Sequence, residues 1–212
     1  MDIYFRGAFG LRGATLAASL LGSSRLVDLD SADQSALTPP EHGGRALVLL
    51  SDASGASLTE LAATLRAASV RWTAVHLYPA MLRIGPLITA EGVCFECATR
   101  RYLASPGSPG LARLEVLLRS AGTAQLIEFA QVPATIVAMA VAEALRQLED
   151  EQVPAGFIRK VDFVDFAMSA AVASSLHACA CTGRAADKRG QGRRFYQDLE
   201  NDMRAVIGAT GQ

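Results

Sequence analysis

Four cysteines fall into two close pairs far apart in the chain, Cys94-Phe-Glu-Cys97 and Cys179-Ala-Cys181. Zn²⁺ takes four ligands in a tetrahedron, and thiolates suit it well. A C-x₂-C turn sets two sulfurs on one side of an ion, and a second pair from elsewhere closes the shell. The first pair has the usual spacing. The second is tighter, and His177, two residues before Cys179, offers a substitute donor. A four-thiolate shell has no open position, so this zinc would be structural. It would tie the segment after Cys97 to the C-terminal region. Two other readings stand beside it: ordinary cysteines with one pair buried, and a redox C-x-x-C. The redox motif usually opens a helix in a thioredoxin-like context, whereas Cys94 follows a strand and a turn at Gly92. That every cysteine falls into one of two close pairs favours the metal.

A second candidate constellation lies near the start. Phosphate-binding loops use glycines so that backbone N–H groups at a helix N-terminus can approach the phosphates. The stretch Ala8-Phe-Gly10-Leu-Arg-Gly13 keeps the last two glycines of G-x-G-x-x-G, with Gly7 one place early. Asp28 ends the following apolar run, where an acid can accept hydrogen bonds from a ribose. The same residues also fit a tight strand-to-helix turn, with Asp28 and Asp30 in a solvated turn role. His42, His76 and His177 are too scattered to propose a catalytic base. Trp72 reads as core and Glu96 as a solvated turn residue.

The elements that must position these groups read as α/β. Ile3 to Phe5 is a strand, Gly7 to Gly13 a glycine-rich turn, Ala14 to Leu21 a helix rich in Ala and Leu, and Ser24 to Leu29 a strand. This is the opening βαβ unit of a dinucleotide-type fold. A polar loop from Ser31 to Gly44 precedes a fully apolar strand, Ala46 to Leu50. Ser51 to Ser57 reads as loop, Leu58 to Ala68 as helix, and Trp72 to Tyr78 and Met81 to Ile84 as strands, with a short one at Leu87 to Thr89. Cys94 and Cys97 fall on a glycine-flanked turn. Helices are expected over Leu111 to Ala121 and Pro133 to Leu148, the latter with proline at its start. Phe157 to Phe166 alternates like one or two strands, and Ala167 to Leu176 is ambiguous. A basic stretch, Arg184 to Arg194, and a short helix, Phe195 to Ile207, close the chain. The expected organisation is one domain over 1–183 and a linker with a short helix over 184–212.

Half of the 212 residues are hydrophobic and the formal net charge is -1. That supports a sizeable core and excludes a disordered chain or a globally basic nucleic-acid binder. No signal peptide is apparent, and the longest apolar run is too short to span a bilayer. A cytoplasmic protein is expected, with no membrane partner.

Several segments resemble one family. Leu26-Val-Asp28-Leu-Asp30, followed by Ser35-Ala-Leu37, resembles the signature of ThiF/MoeB-like (ubiquitin-activating-type) proteins. Trp72-Thr-Ala-Val75, Ile84-Gly-Pro-Leu87, Cys94-Phe-Glu-Cys97 and Arg100-Arg101 resemble a narrower branch. So do the helix Ala134 to Leu148, Val161-Asp162 and His177-Ala-Cys179. That branch is the ThiF-like partner of YcaO proteins in the cyclodehydratases of thiazole/oxazole-modified peptides. The resemblance spans residues 3 to 183 in patches, and implies a truncated Rossmann-like (ThiF-type) sheet with helices and a zinc-stapled C-terminal region.

In adenylating members of the family, the glycine loop, the first acid of the signature, an arginine just after it, a lysine on the next helix and a later aspartate handle Mg-ATP. Gly10, Gly13 and Asp28 match, and Asp52 matches loosely. Thr38-Pro39-Pro40 stands where the arginine is expected, and the only lysines are Lys160 and Lys188. Adenylation clamps phosphate charge with cations, so Gly10, Gly13 and Asp28 are read as a vestigial nucleotide site, and ATP turnover by this chain is not expected. In the YcaO-partner branch the YcaO protein uses ATP, and the ThiF-like subunit docks a ribosomal precursor peptide. The resemblance therefore implies a non-catalytic scaffold subunit, in a homo- or hetero-oligomer, with structural zinc on Cys94, Cys97, Cys179 and Cys181. Family members carry an N-terminal winged-helix module for leader capture, and this sequence opens directly at the first strand. The alternatives are an ATP-dependent adenylating enzyme for a peptide C-terminus, and a stand-alone zinc-containing nucleotide-binding module.

Overall fold

A computed structural model describes residues 1–30, 39–51, 55–78, 81–103, 132–163, 167–176 and 179. The chain divides into two compact units, Met1–Ser174 and Ser175–Gln212.

Among the described residues, the first unit is built on a seven-stranded sheet of order β2-β1-β3-β4-β5-β6-β7. Its strands are β1 (Asp2–Arg6), β2 (Arg25–Asp28), β3 (Arg45–Leu50), β4 (Arg71–Tyr78), β5 (Met81–Ile84), β6 (Phe157–Asp162) and β7 (Met168–Val172). Strands β2, β1, β3 and β4 run parallel. The remaining pairings, β4–β5, β5–β6 and β6–β7, are antiparallel. The parallel half follows from sequence: Ala46 to Leu50 is apolar at every position, and all five residues are buried, as a strand covered on both faces requires.

The helices are α1 (Gly7–Leu21), α2 (Gly55–Ala67), α3 (Phe95–Leu103) and α4 (Ala134–Glu149). Alternation along the strands separates two cores. Ile3, Leu47, Leu49, Val75, Leu77, Leu82 and Ile84 pack with Phe9, Ala14 and Ala17 of α1 and with Val137, Ala140, Val141, Ala144 and Leu148 of α4. The intervening residues Tyr4, Ala46, Val48, Trp72, Ala74 and His76 are buried too. They point to the opposite face, where Trp72 and His76 meet Phe95 of α3. Helix α4 is anchored at its C-terminal end by Arg71, whose Nη2 donates to the carbonyls of Gln147 (2.9 Å) and Asp150 (2.8 Å). A cation there satisfies carbonyls that the helix leaves open.

Three expectations need correction. The stretch Gly7 to Gly13 is not a loop: α1 begins at Gly7, directly after β1. Gly7 makes the junction possible by taking φ +68°, a conformation costly for any residue with a side chain. The turn proposed for Cys94 and Cys97 is the start of α3, which places Cys97 inside a helix. Leu87 to Thr89 forms no strand, contributing an isolated bridge from Ile88 to Trp72, because the Gly85–Pro86 break removes the chain from the ladder. Elsewhere the ambiguous stretch 167–176 contains β7, and α2 starts at Gly55, earlier than the expected Leu58. The helices expected over 111–121 and 195–207 and the basic stretch 184–194 lie outside the described residues.

Among the described residues, no helix is long and apolar enough to cross a membrane.

Candidate functional site

The cysteine site starts from a tight entry. Gly92 lies where an added Cβ would sit 2.4 Å from Ala155 Cβ, so only glycine lets the chain turn into α3. Val93 and Phe95 are buried on either side of Cys94. Phe95 packs against Trp72, with ring centroids 5.6 Å apart, which fixes the first turn of α3 to the sheet. The Ala98 N–H donates to the Cys94 carbonyl, so Cys94 occupies the position just before the helix. The Cys97 N–H donates to Cys94 Sγ at 3.4 Å. Such a bond, together with the positive end of the helix, favours the thiolate over the thiol.

Cys97 is fully buried, while Cys94 and Cys179 are half-buried. The sulfurs of Cys94 and Cys97, both in the first unit, lie within 4.8 Å of each other. Zn–S bonds of about 2.3 Å in a tetrahedron put neighbouring sulfurs about 3.8 Å apart, so this pair fits as two of a zinc ion's ligands with small adjustments. In the second unit, the Cys179 N–H donates to the Leu176 carbonyl at 3.1 Å. Cys181 and His177 lie outside the described residues. Glu96 points away and pairs with Arg100 one turn on, both side chains exposed, as a solvated helix-surface residue does.

The expectation that this pair does not open a helix fails, since Cys94 and Cys97 begin α3 as a redox C-x-x-C would. The helix start therefore does not separate redox from metal chemistry.

Gly10 and Gly13, the proposed phosphate-loop glycines, pack against β3. A Cβ on Gly10 would lie 2.6 Å from the Leu49 carbonyl oxygen, and one on Gly13 would lie 3.3 Å from the Leu49 methyls. Both glycines sit on the inner side of α1 and let it approach β3. Close helix–strand approach is one of the roles glycines serve in such turns. Asp28 does end β2; its Oδ1 accepts the Asp30 N–H at 3.0 Å. Asp30 in turn pairs with Arg6 Nε at 2.8 Å. A carboxylate bonded to the backbone two residues on is a turn device.

A polar cluster not singled out from the sequence lies on the α3 side of the sheet. Arg83 is 1 % exposed and His76 is 4 % exposed. They face each other across the β4–β5 ladder, with Arg83 Nη2 3.0 Å from His76 Nδ1. Tyr78 Oη also lies 3.0 Å from that nitrogen, and the guanidinium sits 5.3 Å from the Tyr78 ring centroid. Arginine can only donate, so His76 Nδ1 accepts from it and the imidazole carries its proton on Nε2. The signal was present as a period of two, Trp72, Ala74, His76 and Tyr78 sharing one face, but Arg83 reads from sequence as an ordinary surface charge.

The sheet, with its switch from parallel to antiparallel strands and helices on both faces, defines an α/β fold. No protein-family model and no curated protein matches the sequence. Solved structures do. One chain of the E. coli microcin synthetase McbBCD complex superposes with a TM-score of 0.59 at 11 % identity, covering 84 % of this chain and 67 % of that chain. In the same complex with pro-MccB17 bound the TM-score is 0.58 at 10 % identity, over 86 % and 69 %. E. coli MccB solved with ATP gives 0.52 at 11 % identity, over 86 % and 66 %. At such identities it is the fold that is shared, and the chain spans about two thirds of the length of each.

Proposed function

We propose that this chain is the ThiF-like docking subunit of a YcaO-type cyclodehydratase complex that forms azolines or azoles on a ribosomal precursor peptide. The observation that carries the reading is the shared fold with a microcin synthetase chain that works inside a multi-protein complex. The precursor enters the proposal because a related structure holds pro-MccB17. The sequence supports a subunit that docks rather than adenylates, since Thr38-Pro39-Pro40 stands where the arginine of adenylating members is expected and the only lysines are Lys160 and Lys188. Structural zinc on Cys94, Cys97, Cys179 and Cys181 would staple the subunit, one ion per chain. Bound there, it would supply no catalysis, only a crosslink between distant segments. Gly10, Gly13 and Asp28 are then remnants of a nucleotide site.

A second reading, an ATP-dependent adenylating enzyme, draws on the likeness to MccB solved with ATP. One experiment separates the two. The chain is co-expressed with a YcaO-type protein and a precursor peptide, and ATP hydrolysis, pyrophosphate exchange and zinc content are measured for the isolated chain and for the complex. The docking reading expects zinc at one per chain, a stable complex, and peptide heterocyclisation only when the YcaO-type protein is present. Pyrophosphate exchange by the isolated chain would overturn it.

A further inference from the structure

We propose that Cys94 is a site of peroxide oxidation and Cys97 its resolving thiol, so that the pair closes to a disulfide and gives up any metal it holds.

A thiol that responds to peroxide needs an accessible sulfur, and it needs a second thiol in reach if oxidation is to stop at the reversible disulfide. The start of α3 divides these requirements between its two cysteines. Cys94 stands just before the helix and is half-buried, whereas Cys97 lies inside the first turn and is fully buried. A small oxidant therefore meets Cys94 first. The two sulfurs lie within 4.8 Å of each other. The Cys97 N–H donates to Cys94 Sγ at 3.4 Å, which turns the Cys94 side chain over the first turn, toward Cys97. Sulfur here takes the place of the serine or aspartate oxygen that caps many helices.

The frame lets the bond form without unfolding. Residues three apart on an α-helix have Cα atoms about 5 Å apart, and disulfides bridge Cα separations of roughly 4.4–6.8 Å. Val93 and Phe95 are both buried, and Phe95 packs against Trp72 and His76 of the sheet. They hold the backbone on either side of Cys94, so closure asks for rotation of side chains and leaves the helix in place.

The chemistry balances with one hydrogen peroxide. The Cys94 sulfur attacks a peroxide oxygen; the O–O bond breaks and hydroxide leaves, with the sulfur oxidised to sulfenic acid and the peroxide reduced. The Cys97 sulfur then attacks the Cys94 sulfur. The S–O bond breaks, its oxygen leaves as hydroxide, and the S–S bond forms. The two hydroxides take up the two thiol protons, so two thiols and one peroxide give one disulfide and two waters. The thiolate is the form that binds metal, so an ion held by this pair loses both ligands at once. That consequence rests on the zinc reading above; the disulfide itself does not.

The test uses the full chain, supplied with zinc, under limiting hydrogen peroxide. Zinc release is followed with a chromogenic chelator and the cysteines by peptide mapping, with and without dimedone to trap sulfenic acid. The expected result is a Cys94–Cys97 disulfide, one for each ion released, with both changes reversed by a phosphine reductant. Dimedone present during oxidation is expected to label Cys94 and not Cys97. In Cys97→Ser the Cys94 sulfenic acid loses its partner, so labelling of Cys94 should rise. Thiols that stay reduced in peroxide while zinc remains bound overturn the proposal and leave the zinc reading standing. A Cys94–Cys97 disulfide formed in a chain that retains no zinc supports the proposal and removes the zinc reading. Labelling of Cys97 ahead of Cys94, or a disulfide joining either of them to Cys179 or Cys181, overturns the proposal. If Cys97→Ser does not fold, the order of labelling in the parent chain decides.

Discussion

Gly10 and Leu49 touch: a methyl group in place of the Gly10 hydrogen would come within 2.6 Å of the Leu49 carbonyl oxygen. This contact sets the distance between α1 and β3, and with it the first layer of the core.

Gly10→Ala is therefore expected to destabilise the protein by about 1–3 kcal/mol, the usual cost of overpacking against something that cannot yield. Gly13→Ala should be close to neutral. Its Cβ would meet side-chain methyls that can shift, those of Leu49 at 3.3 Å and one of Val141 at 3.6 Å, and alanine gains up to about 1 kcal/mol over glycine inside a helix. Denaturant melts of the two variants check the order. A Gly10→Val loss of nucleotide binding would not be diagnostic, since the same change displaces the helix.

Cys97→Ser is expected to abolish zinc retention and lower the melting temperature. A loss of only about 2 kcal/mol corresponds to roughly 4–8 °C in a chain of this size. Metal analysis and thermal melts, with and without a strong chelator, provide the readout. Chelation should bring the parent chain to the stability of the variant and leave the variant unchanged. A chain equally stable without metal removes the staple from the account.

The buried pair of His76 and Arg83 predicts an asymmetry. His76→Phe leaves the Arg83 guanidinium without that acceptor and should cost about 1–3 kcal/mol. Adding Arg83→Met to it should recover part of the loss, because a buried charge no longer lacks that partner. A double-mutant cycle by chemical denaturation measures the coupling.

Tyr4 is pushed up to about 12 by burial and, next, by the Asp2 carboxylate beside it. The folded state thus holds this proton more tightly than the unfolded chain, whose tyrosine has the ordinary value of 10.0. The stabilisation is complete below pH 10 and is lost as pH rises from there through 12. Stability of the parent chain should fall over that window, and Tyr4→Phe should flatten the fall. Denaturation midpoints against pH, alongside tyrosinate absorbance, test it.

Glu143 behaves in the opposite sense. Burial opposes its ionisation, but hydrogen bonds from Arg146 and Gln147 and the charge of Arg159 outweigh that and lower its pKa. Its contribution is present above the ordinary glutamate value of 4.5 and disappears as pH falls through the lowered folded value. Glu143→Gln should weaken the protein at neutral pH and make its stability less sensitive to acid below pH 4.5, read from melting temperatures across the acid range.

The amino-acid sequence determined the parallel half of the sheet, because uninterrupted apolar runs such as Ala46 to Leu50 have no other stable place than between two helical layers. It also determined α4, through its 3.6-residue period. Tertiary structure decided the rest. Whether Gly7 to Gly13 forms a loop or a helix depends on how near β3 lies, which no local pattern encodes. The antiparallel strand β7 is short, small and exposed, so periodicity is silent there and only pairing with β6 defines it. Arg83 became a core residue because β5 sets it against His76, a neighbour seven positions away brought opposite by the β4–β5 turn. Local sequence sets what each segment can form; burial and partner geometry select which of those forms the chain keeps.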